Sequence, residues 1–148
     1  MIRRKLSVLA AVLVAVLASF AVSAPASAAN PFEFNQAGPY SGLHICEVVA
    51  DPGCGSFYYD GDLFRVWDQN PDGHSTAIYW HNYLPGSSAL YRWGSCVESG
   101  GAGVSGQCNK NFQENSRIDW KVCAYESGTA PSDVRNYFQC SRVVTSYA

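Results

Sequence analysis

The sequence predicts an all-β fold: a single antiparallel β-sandwich, with a small β-barrel as the alternative, stapled by three disulfides. Two observations lead there. Short segments rich in Tyr, Trp, Phe, Val and Ile alternate with Gly/Pro/Asn/Asp/Ser clusters, and no stretch sustains an i, i+3, i+4, i+7 apolar pattern. Six cysteines, Cys46, Cys54, Cys96, Cys108, Cys123 and Cys140, form an even set behind an export-type leader.

That leader occupies 1–28. Arg3, Arg4 and Lys5 form a basic n-region, an apolar run covers 8–22, and Ala26-Ser27-Ala28 is a small-residue cleavage site. The pattern predicts a cleaved signal peptide and a secreted, extracellular chain. The run falls short of the ~20 residues of a membrane span and no later segment is longer, so no span is expected. The leader holds three of the ten basic residues. The remaining seven Lys and Arg face twelve Asp and Glu, a net charge of about −5. Such a balance argues against nucleic acid or an anionic membrane surface as the partner.

Residues 29–43 are Pro/Gly-rich and read as an extended N-terminal arm that orders only near Cys46. Residues 44–148 read as one disulfide-rich β domain. Candidate strands are 43–50, 56–59, 62–69, 74–83, 88–94, 117–126 and 135–145. Nearest-neighbour pairing, Cys46–Cys54, Cys96–Cys108 and Cys123–Cys140, closes short local loops. A loop of about 13 residues is worth ~3 kcal/mol on the chain-entropy argument. Zinc is the rival use of these thiols, but no C-x2-C spacing occurs.

The stretch 68–76, "DQNPDGHST", predicts a tight turn. Pro71 presets φ, Asp72 tolerates the next position, and Gly73 supplies a positive φ. Read as a hairpin pairing Asn70 with His74, it sets Val66 against Ile78 and Phe64 against Trp80 on a core face. Trp67 then faces Ala77, Arg65 faces Tyr79 and Leu63 faces His81 on the other. Asp68, Asn70 and Asp72 also match the start of a calcium loop, D-x-N-x-D-G. Its closing position, which takes a bidentate Glu, is Tyr79, and the flanks are strand-like. A distant carboxylate such as Asp60 or Asp62 would have to complete the shell. No cofactor is expected, and calcium remains only as the rival reading of this turn.

In 117–126, Ile118, Trp120, Val122 and Ala124 share one face and predict core. Asp119, Lys121, Cys123 and Tyr125 share the other.

Catalytic signatures are absent. Gly106 follows Ser105 directly, so "GAGVSGQ" is not G-x-S-x-G. Asp60 and Asp62 read as a charged strand end rather than a glycosidase pair. No phosphate loop, zinc-protease helix or dinucleotide fingerprint occurs. Aromatics are the compositional surplus, and Tyr and Trp suit sites that are half apolar and half wet. The candidate binding residues are therefore Arg65, Trp67, Tyr79, His81, Tyr91 and Trp93. The expected function is a small secreted, non-catalytic binding protein, recognising glycan or a secreted or cell-surface protein through an aromatic sheet face. Two alternatives stay open: a secreted inhibitor of an extracellular hydrolase, presenting loop 97–107, and a small secreted hydrolase without a recognisable motif.

Overall fold

The computed structural model describes residues 31–126 and 130–148; the leader lies outside them. Among the described residues eleven strands form two sheets: β1 (Phe32–Gln36), β2 (Gly38–Pro39), β3 (Val48–Val49), β4 (Gly53–Tyr58), β5 (Leu63–Asp68), β6 (Ser75–Tyr83), β7 (Leu90–Glu98), β8 (Ser105–Asn109), β9 (Arg117–Tyr125), β10 (Tyr137–Phe138) and β11 (Val144–Tyr147). Sheet A runs β1-β7-β6-β9-β10, with β11 also on β9, and sheet B runs β2-β8-β5-β4-β3. The all-β sandwich predicted from pattern is thus present, and its three disulfides join the predicted partners.

Strand parity explains the core. β-Branched and aromatic residues at alternate positions of β5, β6 and β9 point between the sheets: Phe64 and Val66, Ile78 and Trp80, then Ile118, Trp120 and Val122, all at most 1% exposed. Phe112, from the loop after β8, packs its ring 5.2 Å from Trp80. The buried Cys96–Cys108 bridge sits in this same layer and ties β7 of sheet A to β8 of sheet B.

The turn at 70–73 does not make a hairpin. β5 pairs with β4 and β8, whereas β6 pairs with β7 and β9. The chain therefore crosses between sheets at this point. Phe64 and Val66 meet Ile78 and Trp80 face to face across the sandwich rather than side by side within one sheet. The expected pairings of Arg65 with Tyr79 and Leu63 with His81 are lost with it, because outward residues of β5 and β6 lie on opposite sides of the molecule.

The predicted arm is also corrected. Its residues are paired from Phe32 onward: β1 runs parallel to β7, making sheet A mixed rather than purely antiparallel, and β2 joins β8 in sheet B. β1 approaches β7 closely because Gly94 has no side chain. A Cβ there would overlap the Glu33 carbonyl and stand 2.8 Å from the Trp80 ring. Gly94→Ala is therefore expected to cost about 2–3 kcal/mol in urea unfolding, the scale of an overpacked core. A loss under about 0.5 kcal/mol would show that β1 does not press closely on β7 at Gly94.

Sheet A is strongly curled. Phe34 on β1 and Tyr125 on β9 are separated by two intervening strands, about 14 Å on a flat sheet, yet their ring centroids lie 6.0 Å apart. The outer face of sheet A is consequently hollow and holds a second core of Ala77, Tyr79, Val97, Cys123, Tyr125 and Tyr137.

Candidate functional site

Two chain segments lie across the outer faces like straps, one to each sheet. On sheet B, residues 40–46 are held by Cys46–Cys54. The Arg65 guanidinium is clasped between Tyr40, at 4.3 Å, and Tyr58, at 4.0 Å. Next to it, His44 stacks on Trp67 with centroids 4.6 Å apart. Cation–π and stacking contacts of this kind stabilise by about 0.5–2 kcal/mol each. Arg65 and Trp67 therefore form a packed layer under the strap.

On sheet A, residues 130–143 are held by Cys123–Cys140. Tyr137 packs 4.9 Å from Tyr79 and 5.0 Å from Tyr125; its hydroxyl donates to the Pro131 carbonyl at 3.0 Å and lies 2.9 Å from Ser95 Oγ, which can donate in return. Burial pushes the Tyr137 phenol up to about 12 and raises the Tyr79 phenol too, so both rings stay neutral in ordinary buffers. This strap fills one end of the hollow face.

Among the described residues the other end is open. Trp93 is met edge-on by Phe32, at 4.6 Å, with Tyr79 at 5.9 Å and His81 at 6.3 Å. Tyr91, half exposed, lies two residues earlier on the same strand. Polar groups border these rings. His81 Nε2 lies 3.3 Å from the Tyr79 hydroxyl. Lys121 Nζ sits over the Tyr79 ring at 5.3 Å. The Asp119 carboxylate accepts from Thr145 Oγ1 at 2.7 Å and pairs with Arg117 at 3.5 Å. Tyr79, His81, Asp119 and Lys121 line a pocket of about 100 Å³ with Val143 at its rim. Burial lowers the His81 pKa, against the opposing pull of Asp119, which favours a neutral imidazole at pH 7.

The six sequence-predicted binding residues thus divide. Tyr79, His81, Tyr91 and Trp93 belong to sheet A, whereas Arg65 and Trp67 lie on the opposite side of the molecule. Sequence reasoning missed Phe32, Asp119 and Lys121 as site members. Phe32 alternates with Glu33 in a segment taken for an arm, and Asp119 and Lys121 stood out only as members of the β9 face opposite Ile118 and Trp120.

The D-x-N-x-D-G residues are occupied by the turn itself. Asp68 Oδ1 accepts from the Asn70 N–H at 3.1 Å, Asp72 Oδ1 accepts from the His74 N–H at 2.8 Å, and Asn70 Nδ2 donates to the Asp51 carbonyl at 3.3 Å. Asp62 lies at the far end of β5, about 20 Å away by strand rise, where its carboxylate caps the Phe112 N–H at 2.6 Å. It is out of reach of a shell at Asp68.

Loop 97–107 is shorter than it reads, since β7 runs to Glu98 and β8 begins at Ser105. Its tip is pinned to Asp68 by hydrogen bonds at Gly103 and Val104, of 2.8 and 3.0 Å. Ser105 Oγ lies 3.4 Å from His44 Nε2 but donates to the Tyr40 carbonyl at 2.8 Å.

Comparison of the chain with known protein families, curated proteins and solved structures gives no match.

Proposed function

We propose that this chain is a small secreted binding protein, rather than a catalyst, that recognises glycan through the open end of sheet A's outer face. The observation that carries the reading is Trp93 and Phe32 forming an aromatic floor beside the pocket of Tyr79, His81, Asp119 and Lys121. A sugar ring offers an apolar C–H face and a rim of hydroxyls, and this arrangement offers an aromatic floor and a rim of donors and acceptors. Export is supported by the leader pattern over 1–28 and by three disulfides, which persist in oxidising compartments. Among the described residues no helix is long and apolar enough to cross a membrane.

The test is retention of the chain lacking 1–28 on insoluble polysaccharides and cell-wall material. Trp93→Ala is expected to weaken retention tenfold or more, about 1.4 kcal/mol or above, with Trp67→Ala as the control on the opposite face. Equal retention of both variants would refute the assignment of the face. Recovery of a secreted protein instead of a polysaccharide would assign the same face to a protein surface.

A further inference from the structure

We propose that the chain forms a two-fold symmetric dimer by pairing β1 with β1 of a second copy. Among the described residues β1 is the end strand of sheet A and its only neighbour is β7. The Pro31 carbonyl accepts from the Trp93 N–H at 3.3 Å, and the Ala37 N–H donates to the Val97 carbonyl at 2.8 Å. A parallel ladder alternates along the strand, so residues 31, 33, 35 and 37 bond toward β7. The N–H and C=O groups of Phe32, Phe34 and Gln36 therefore point to the open edge. These residues are symmetric about Phe34. Antiparallel apposition of two copies sets Phe34 against itself and Phe32 against Gln36 of the second copy, each as a hydrogen-bonded pair, so all of the outward groups find partners.

Sheet edges are commonly guarded against such pairing by brevity, Pro, Lys or a bulge. β2, β3 and β10 are two residues each, and β2 contains Pro39. β1 has five residues and neither Lys nor Pro within it. Its single charge, Glu33, faces inward, 3.3 Å from Arg92 and 3.5 Å from Lys110. No like charges would meet across the axis, although the chain as a whole is acidic. Phe34 is 37% exposed, and its ring would gain an aromatic cross-strand neighbour in the dimer. The inference does not depend on what the open face binds.

The experiment is sedimentation velocity on the chain lacking 1–28, from about 1 to about 500 µM, because a small interface predicts a weak dimer. Mass is expected to double with concentration. Phe34→Lys places two ammonium groups against each other at the axis, and Phe34→Pro removes an outward N–H without breaking a bond to β7. Each is expected to weaken dimerisation tenfold or more. Hydrogen exchange on the wild type decides the case even if a variant misfolds. The amides of Phe32, Phe34 and Gln36 should slow with rising concentration, while those of Glu33 and Asn35 stay unchanged. A monomer throughout the range, concentration-dependent protection at another edge, or a dimer that both folded variants leave intact would overturn the proposal.

Discussion

Replacing Glu33 by alanine is expected to destabilise the chain by about 3 kcal/mol at pH 7, whereas replacing Lys110 by methionine should cost less than about 1 kcal/mol. The two residues form a pair, at 3.5 Å, and the asymmetry comes from burial. The Lys110 side chain is fully enclosed, while that of Glu33 is 34% exposed. Lys110 Nζ also donates to Asn35 Oδ1 and to the Ser95 carbonyl, and it lies 4.9 Å over the Trp80 ring. Removing Glu33 leaves a buried cation beside Arg92 without its counter-charge. Removing the cation leaves a carboxylate that still bonds Arg92 and reaches water. Methionine fills the lysine's volume with apolar atoms.

The pair carries a pH signature. Burial pushes the Lys110 ammonium down to about 8, against the opposing pull of Glu33, from an ordinary 10.5. Between those values the unfolded chain holds a proton that the folded chain has shed, so stability rises with pH across this window. Below it the contribution is flat. The upper bound on the gain is about 3 kcal/mol. Tyr137 acts in the opposite sense from pH 10 to about 12, because its folded form keeps a proton that the unfolded chain loses. Urea unfolding from pH 7 to 11 should show stability climbing and then falling, and Lys110→Met should remove the climb. A wild-type profile as flat as that of the variant would refute the burial of a charged lysine.

Replacing Cys96 and Cys108 together by alanine is expected to cost about 3–5 kcal/mol. About 3 kcal/mol follows from releasing the loop, whose ends are 12 residues apart. The remainder follows from the space left between the sheets, where both sulfurs are buried. The loss should appear in global unfolding, because this bridge alone spans the two sheets. Replacing Cys123 and Cys140 should act differently. That bridge holds a strap on an outer face, so hydrogen exchange should speed first at Tyr137 and Phe138 while the amides of β6 stay protected. If the double alanine variant at 96 and 108 unfolds at wild-type urea concentration, the central bridge is not what joins the layers.

Much of this architecture was legible in the sequence. Alternation in 62–69, 74–83 and 117–126 identified Phe64, Trp80 and Trp120 as core, and loop length identified the disulfide partners. The errors share a cause. Parity reports which residues point inward, not which strand lies alongside. A hairpin and an inter-sheet crossing at 70–73 bury the same Phe64, Val66, Ile78 and Trp80, so the turn chemistry of Asn70 to Gly73 could not separate them. β1 and β8 escaped for another reason. "FEFNQ" sits between prolines and "SGQCN" has little intrinsic strand preference, so both owe their state to neighbours already in place. The candidate residues were only partly placed: Tyr79 and His81 share a face of one strand by parity, but their approach to Trp93 is set by the β6–β7 pairing, which the sequence did not specify. Arg65 and Trp67 were assigned to them only through the wrong pairing.

The bridges also set an order of events for a chain that emerges N-terminus first. Their partners lie 8, 12 and 17 residues apart and none interleaves with another. Each cysteine can therefore meet its mate before the next pair arrives, and oxidation in order of appearance yields the native set. β1 has the opposite schedule. Phe32 pairs beside Trp93, so the first strand to appear waits until most of the domain has followed. Closing so long a loop is slow, and during the wait both edges of β1 are exposed. Once β1 is seated on β7 a single edge remains, and it is that edge which the proposed dimer covers.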